Sequence, residues 1–168
     1  YACGSDRAAG AAESLGAEGA VVNIQGDEAF IDPGCIDAVV AALEAGSAPL
    51  VSAMAPVGGE EDGSPHLVKV VFDAMDRALY FSRAPIPHYR EGGGSRWGHI
   101  GIYAFRREAL RAFAAAGPSG LERAEGLEQL RALELGWRIG MVRRESMGRG
   151  INTLADLEQA RRILADEG

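Results

Sequence analysis

Two consecutive carboxylates follow a short apolar run near the start of the chain. Residues 21–24 have the β-branched and apolar composition of a buried strand, and Gln25 and Gly26 connect them to Asp27 and Glu28. A carboxylate at a strand end, beside a glycine that allows close approach, suits a hard cation such as Mg²⁺, which takes one or two carboxylates plus phosphate oxygens. The alternative is a solvated strand end with Glu28 facing water. The spacing leaves both interpretations open.

Arginines supply the second candidate group. Arg83 lies between an aromatic strand and a proline-bounded turn, a rigid frame that suits a bidentate grip on a carboxylate. The alternative is a surface arginine whose stem covers apolar area. Arg90 and Arg96 flank the glycine run at 92–94, which is typical either of a lid that closes over a ligand or of a plain mobile connector.

Four further polar side chains lie in otherwise apolar segments. His99 begins an apolar strand, and the two-residue period places Tyr103 on the same face. A histidine at a strand end is more often a structural group than a catalyst. Glu128 and Gln129 belong to a segment whose leucines face the core, and such polar pairs are common on helices. These residues by themselves are therefore candidates only.

Composition and missing motifs exclude several classes of function. The 168 residues carry a net charge of −7, which argues against binding nucleic acid through its phosphate backbone. No apolar run is long enough to span a membrane. Two cysteines are too few for a disulfide framework and favour a reducing cytoplasm. The sequence has neither a Gly-rich phosphate loop ending in Lys-Ser/Thr nor a GxGxxG motif nor a nucleophile elbow.

Hydrophobic periodicity and cap signals predict alternating strands and helices. Ser5 is a candidate N-cap of the first helix, Asp32 caps a helix that starts at Pro33, and Thr153 with Asp156 forms a capping box. We expect strands at 21–25, 50–55, 66–72, 78–82, 99–105 and 138–143, and helices at about 5–16, 33–46, 107–115, 121–135 and from 153 onward.

This alternation predicts an α/β fold in which helices cover both faces of a layered sheet, organised as a single domain over residues 1–168. Ligands of such sheets bind beyond the carboxyl ends of the strands, which is where Asp27 is expected.

Five short motifs, taken together and in order, resemble the 3-deoxy-manno-octulosonate cytidylyltransferase (CMP-Kdo synthetase) family. The resemblance runs from about Gly4 to Leu157. The motifs are VVNIQGDE at 21–28, VKVV at 68–71, ALYFSRAPIP at 78–87, HIGIY at 99–103 and LEQLR at 127–131.

The resemblance implies a nucleotidyltransferase with a nucleotide-diphospho-sugar-transferase-like sheet. Its members transfer CMP from CTP to 3-deoxy-D-manno-octulosonate (Kdo), release pyrophosphate, require Mg²⁺ and serve lipopolysaccharide biosynthesis as cytoplasmic homodimers. Asp27 would then be the catalytic metal ligand. Ser5, Asp6 and Arg7 would lie near the nucleotide, and the sugar would be bound by Gln25, Arg83, Arg90, His99, Tyr103, Glu128 and Gln129.

Two departures from the family pattern leave alternatives open. Residues equivalent to the family's N-terminal strands and phosphate-binding segment are not in the sequence. We therefore expect the residues that bind the phosphates to lie outside this chain. Asn152 stands where the family has a metal-binding aspartate, and a neutral ligand holds Mg²⁺ less well. The alternatives are a non-catalytic remnant that binds a sugar or a partner, and a cytidylyltransferase for a related acidic or amino sugar.

Overall fold

The structure is a computed structural model that describes residues 1–58, 63–92, 94–148, 150–151 and 153–166, with the backbone alone at positions 155 and 166. Helices and strands alternate along most of these residues. The helices are α1 (Gly4–Ser14), α2 (Pro33–Ala45), α3 (Arg107–Ala116), α4 (Gly120–Glu125), α5 (Gln129–Glu134) and α6 (Leu154–Asp166). The strands are β1 (Ala20–Ile24), β2 (Leu50–Val57), β3 (Lys69–Phe72), β4 (Ala78–Ser82), β5 (Arg96–Arg106) and β6 (Ile139–Arg143).

The long strand β5 organises a six-stranded mixed sheet. Strand β2 pairs antiparallel along one edge of β5, and β6 extends the sheet as the parallel neighbour of β2. On the other edge, β1 pairs with the second half of β5 and β3 with its beginning, while β4 lies outside β3. Strands β1 and β3 therefore diverge over residues 99–101 of β5. We call this opening the fork.

The alternation of side chains along β5 serves two hydrophobic cores. Tyr103 and Phe105 face the core that contains α3 and α5, whereas Ile102 and Ala104 face the core formed by α2. Phe113 of α3 is fully buried against the first core. The predicted α/β class, with helices on both faces of the sheet, is confirmed.

Local signals located most helix starts correctly. The Asp32 side chain accepts a hydrogen bond from the Gly34 N–H at 2.9 Å and caps α2 as predicted. The predicted capping box of α6 is also present, with Thr153 N–H donating to Asp156 Oδ2 at 2.7 Å. The prediction for Ser5 is wrong: Cys3 is the N-cap of α1, and Ser5 lies inside the helix.

The helix predicted over 121–135 is also wrong, because Gly126 divides it into α4 and α5. Gly126 has φ 65°, a left-handed conformation that glycine adopts without the cost that a Cβ brings. The break places Glu128 at the N-cap position of α5 and Gln129 in its first turn. The strand boundaries differ as well, since β5 begins at Arg96, inside the predicted loop, and β3 begins at Lys69.

In the part of the chain that is described, no helix is both long and apolar enough to cross a membrane.

Candidate active site

A cleft of about 1010 Å³ opens at the fork, where β1 ends and where His99 and Gly101 of β5 line it between β1 and β3. Of the residues predicted to bind substrate or metal, seven line it: Gln25, Asp27, Arg83, His99, Tyr103, Glu128 and Gln129. Ser5, Asp6, Arg7 and Arg90 are not among the lining residues, and Asn152 lies outside the described residues.

Glu128 connects three segments that are distant in sequence. Its Oε2 accepts the Ser5 N–H at 2.8 Å, and its Oε1 accepts from Gln25 Nε2 at 2.6 Å. The carboxylate therefore occupies the N-terminal turn of α1 and fixes the side chain at the end of β1, while remaining nearly buried. A buried carboxylate needs such donors to offset its lost hydration.

Gln129 has one half of its carboxamide satisfied and the other half unused. Tyr103 OH donates to Gln129 Oε1 at 3.1 Å, whereas the buried Nε2 has no hydrogen-bond partner among the described residues. Burial and the negative charge of Glu128 raise the pKa of Tyr103 well above its ordinary value, so the phenol remains a donor. An orphaned donor in a cleft indicates a place for a ligand acceptor.

His99 is neutral and held by a buried serine. Its Nε2 lies 2.7 Å from Ser52 Oγ, and its ring contacts Phe81 and Tyr103 with centroids 5.1 and 5.3 Å away. The Tyr103 contact confirms that the two residues share a face. Burial lowers the pKa of His99 from 6.5 to about 3. The neutral imidazole donates one hydrogen bond and accepts one, and it brings no positive charge.

The two carboxylates that follow β1 differ in environment. Asp27 is exposed at the cleft, and its carboxylate makes no hydrogen bond or ion pair with any described residue. Glu28 is half-buried, and its Oε1 accepts the Gly101 N–H at 2.7 Å. Burial raises the pKa of Glu28, although the Gly101 N–H opposes the change. One oxygen of Glu28 is therefore bonded to β5, while the side chain remains partly exposed at the cleft.

Asp27 is an exposed carboxylate among the residues that line the cleft, and carboxylate oxygens are ligands that suit Mg²⁺. No cluster of three or more acidic, histidine or cysteine side chains that could hold a metal occurs in the described residues. The segment that precedes Asn152 approaches the same point, since Ile151 N–H donates to the Asp27 backbone carbonyl at 2.8 Å.

Arg83 and Lys69 together shape the opposite wall of the cleft. The Arg83 guanidinium donates to the carbonyls of Glu125 and Pro65, each at 3.0 Å. Lys69 is fully buried, and its Nζ donates to the carbonyls of Ser64, Leu67 and Arg83 at 2.6 to 2.7 Å. The lysine thus ties the loop before β3 to the strand end that carries Arg83.

Arg131 is the largest buried polar group behind the cleft. It pairs with Glu122 through Nε and Nη2 at 2.7 and 2.6 Å, and with Asp6 through Nη1 at 2.7 Å. Burial disfavours ionisation of Asp6, but the hydrogen bond and the charge of Arg131 outweigh it and lower the pKa of Asp6. Asp6 therefore joins α1 to α5, and Ser5 and Arg7 lie beside it on α1.

Ser52 and Lys69 do not line the cleft, but each holds a residue that does, and the sequence indicated neither as functional. Ser52 lies in an apolar strand with no local signal. Lys69 did have a local signal, because it is a charged residue inside the strand predicted at 66–72. If that strand is buried, the ammonium group must find buried hydrogen-bond acceptors.

Comparison with known proteins gives a consistent result. A family model described as "Cytidylyltransferase" matches residues 2–139. The 3-deoxy-manno-octulosonate cytidylyltransferase of Chlorobaculum parvum is 46% identical over 171 residues, which cover 98% of this chain and 68% of that protein. The protein of that name from Anaeromyxobacter dehalogenans is 48% identical over 167 residues, covering 98% and 69%.

A solved structure agrees with these relatives. CMP:2-keto-3-deoxy-manno-octonic acid synthetase complexed with CTP superposes with a TM-score of 0.90 at 33% identity, covering all of this chain and 70% of that one. The chain therefore belongs to the cytidylyltransferases and, within them, to the 3-deoxy-manno-octulosonate cytidylyltransferase family.

Proposed function

We propose that this protein transfers CMP from CTP to the anomeric hydroxyl of 3-deoxy-D-manno-octulosonate and releases pyrophosphate, for lipopolysaccharide biosynthesis. Family membership supports the reaction class. The observation that carries the sugar site is the group of polar side chains at the fork, in which Gln129 Nε2 is a buried donor with no acceptor among the described residues. A polyhydroxylated sugar supplies such acceptors.

In this proposal, Asp27 is the catalytic metal ligand and Asn152 the second protein ligand of Mg²⁺. Bound Mg²⁺ supplies charge neutralisation at the phosphates. The protein's own contribution is positioning: Glu128 fixes Gln25 and the start of α1, while Tyr103 fixes Gln129. Arg83 retains guanidinium N–H groups for the sugar carboxylate, because its three acceptors do not use all five donors.

The remaining roles are also proposals. Arg90 would bind the sugar, and Ser5, Asp6 and Arg7 would support the nucleotide end of the cleft. We propose a cytoplasmic homodimer.

The test is pyrophosphate release by the full-length protein with CTP, Mg²⁺ and a panel of acidic and amino sugars. We expect release with Kdo and at least about 100-fold lower kcat/KM with sugars that leave buried polar groups unpaired. Preference for another sugar would change the substrate and leave the reaction class intact.

A second candidate function is sugar binding without turnover, motivated by the neutral Asn152. It predicts that Kdo binds but that no pyrophosphate forms, and that Asn152→Asp does not restore turnover. Under the main proposal, Asn152→Asp tightens Mg²⁺, because a carboxylate is a stronger ligand than an amide oxygen.

A further inference from the structure

We propose that Ser52 is a positioning residue that holds His99 in the Nε2–H tautomer, so that Nδ1 is available to the sugar only as a hydrogen-bond acceptor. The identity of the ligand rests on the proposed function. The tautomer and its cause do not.

The proton of the Ser52 hydroxyl decides the tautomer. Ser52 Oγ lies 2.7 Å from the Ile102 carbonyl oxygen and 2.7 Å from His99 Nε2. A carbonyl can only accept, so the single hydroxyl proton is directed to Ile102. The Ser52 oxygen must then accept, and His99 Nε2 must be the donor. The reverse assignment would leave two oxygen acceptors facing each other at 2.7 Å with no proton between them.

The strand geometry explains why Ser52 has this carbonyl to satisfy. Pairing between β2 and β5 slips between Ser52 and Ala53, whose partners are Tyr103 and Ile100. The slip is a bulge that leaves Ile102 between paired positions and beside the Ser52 hydroxyl. Ser52 is fully buried, so solvent does not compete for either hydrogen bond.

His99 has only one proton to place. Its ring is packed against Phe81 and Tyr103. Burial keeps the ring neutral, and no carboxylate among the described residues hydrogen-bonds it. With the proton on Nε2, Nδ1 carries a lone pair. No described residue donates a hydrogen bond to Nδ1, although His99 lines the cleft.

This assignment sets the chemistry of the group that His99 can recognise. A bare Nδ1 requires a donor from the ligand, whereas the unused Gln129 Nε2 requires an acceptor. A sugar hydroxyl can serve as either, and a carboxylate can serve only the second. His99 therefore selects a hydroxyl, and the sugar carboxylate must be bound elsewhere in the cleft.

Nitrogen NMR of the imidazole tests the tautomer directly. In long-range ¹H–¹⁵N spectra at neutral pH, with His99 assigned by its loss in His99→Gln, we expect a protonated Nε2 and an unprotonated Nδ1. An Nδ1–H tautomer or an imidazolium in the unmodified protein would overturn the proposal, whether or not the protein turns over. Absence of turnover with this tautomer present would count against the proposed function alone.

Variants then test the role of Ser52. In Ser52→Ala we expect a mixture of His99 tautomers. We also expect about tenfold weaker sugar binding, because the hydrogen bond from a sugar hydroxyl to His99 Nδ1 is weakened. Ser82→Ala is the matched control, because it removes another buried hydroxyl that bonds Glu125 at 2.7 Å, and it should leave the His99 tautomer unchanged. An unchanged His99 tautomer in Ser52→Ala would show that Ser52 does not set the tautomer.

Discussion

At the residue scale, most polar side chains at the cleft are committed to another part of the protein. Glu128 holds α1 and Gln25, and Tyr103 holds Gln129. Among the described residues, the groups without such commitments include the Asp27 carboxylate, Gln129 Nε2 and His99 Nδ1. The division is informative, because committed groups build the site and uncommitted groups meet ligands.

Asp27→Asn tests the metal ligand. We expect kcat to fall about 100-fold or more, since a lost Mg²⁺ ligand removes charge stabilisation of several kcal/mol at the phosphates. The melting temperature should not change, because the Asp27 side chain is exposed. Asp37→Asn is the control, as Asp37 is an exposed carboxylate on α2 that does not line the cleft. Equal activities of the two variants would exclude Asp27 from the metal site.

Asp6→Asn tests the buried ion pair with Arg131. At neutral pH we expect the free energy of unfolding to fall by about 3 kcal/mol, because a nearly buried arginine loses one of its two carboxylates. The pKa of Asp6 is lowered in the folded state, so its contribution is present above its unfolded pKa. That contribution decreases as the pH falls below about 4, the ordinary pKa of aspartate, and it is lost once the pH passes the lower folded value, so the variant and the unmodified protein should converge only there.

Urea unfolding across pH measures this difference. Glu13→Gln breaks an exposed ion pair of the same helix with Arg111 and should cost less than about 1 kcal/mol at any pH. A constant gap between Asp6→Asn and the unmodified protein down to low pH would contradict the assignment.

At the element scale, short connections between helices and strands position the residues that line the cleft. The left-handed Gly126 turns the chain between α4 and α5 and directs Glu128 and Gln129 toward the fork. Lys69 ties the loop at 63–67 to the end of β4. Both elements therefore determine where residues that line the cleft lie.

Gly126→Ala tests the turn. A Cβ at Gly126 meets nothing within 4 Å, so the cost is conformational, about 1 kcal/mol for a φ of 65°. Gly120→Ala is the control, because Gly120 lies at the start of α4 with an ordinary φ. Alanine favours the helix there, so this substitution should not lower the free energy of unfolding. Thermal unfolding should show a decrease for Gly126→Ala and none for Gly120→Ala. The reverse order would contradict the role of Gly126.

Lys69→Met tests the loop anchor. The variant keeps an apolar stem but leaves three carbonyls without their donor, so we expect at least about 2 kcal/mol of destabilisation. Hydrogen exchange of residues 63–68 should accelerate, and KM for the sugar should rise more than kcat falls. Unchanged exchange in that segment would show that Lys69 does not hold the loop.

At the scale of the whole molecule, the sequence predicted what local chemistry determines. The α/β class, the caps at Asp32 and Thr153, and the position of Asp27 after a strand all follow from nearby residues. The Ser5–Glu128 and Arg131–Asp6 contacts join residues more than 120 positions apart, which no local pattern encodes. The bulge at Ser52 arises from the pairing of β2 with β5, so the local sequence did not predict it either. The organisation of residues 1–168 as one domain stays a prediction.

Cytidylyl transfer to Kdo at the fork is the reaction that we propose. The most direct test is the amount of pyrophosphate and CMP-Kdo that the full-length protein forms from CTP, Kdo and Mg²⁺, measured beside Asp27→Asn. We expect equal amounts of both products, dependent on Mg²⁺ and on Asp27. Binding of Kdo with no pyrophosphate, or turnover that Asp27→Asn leaves intact, would contradict it.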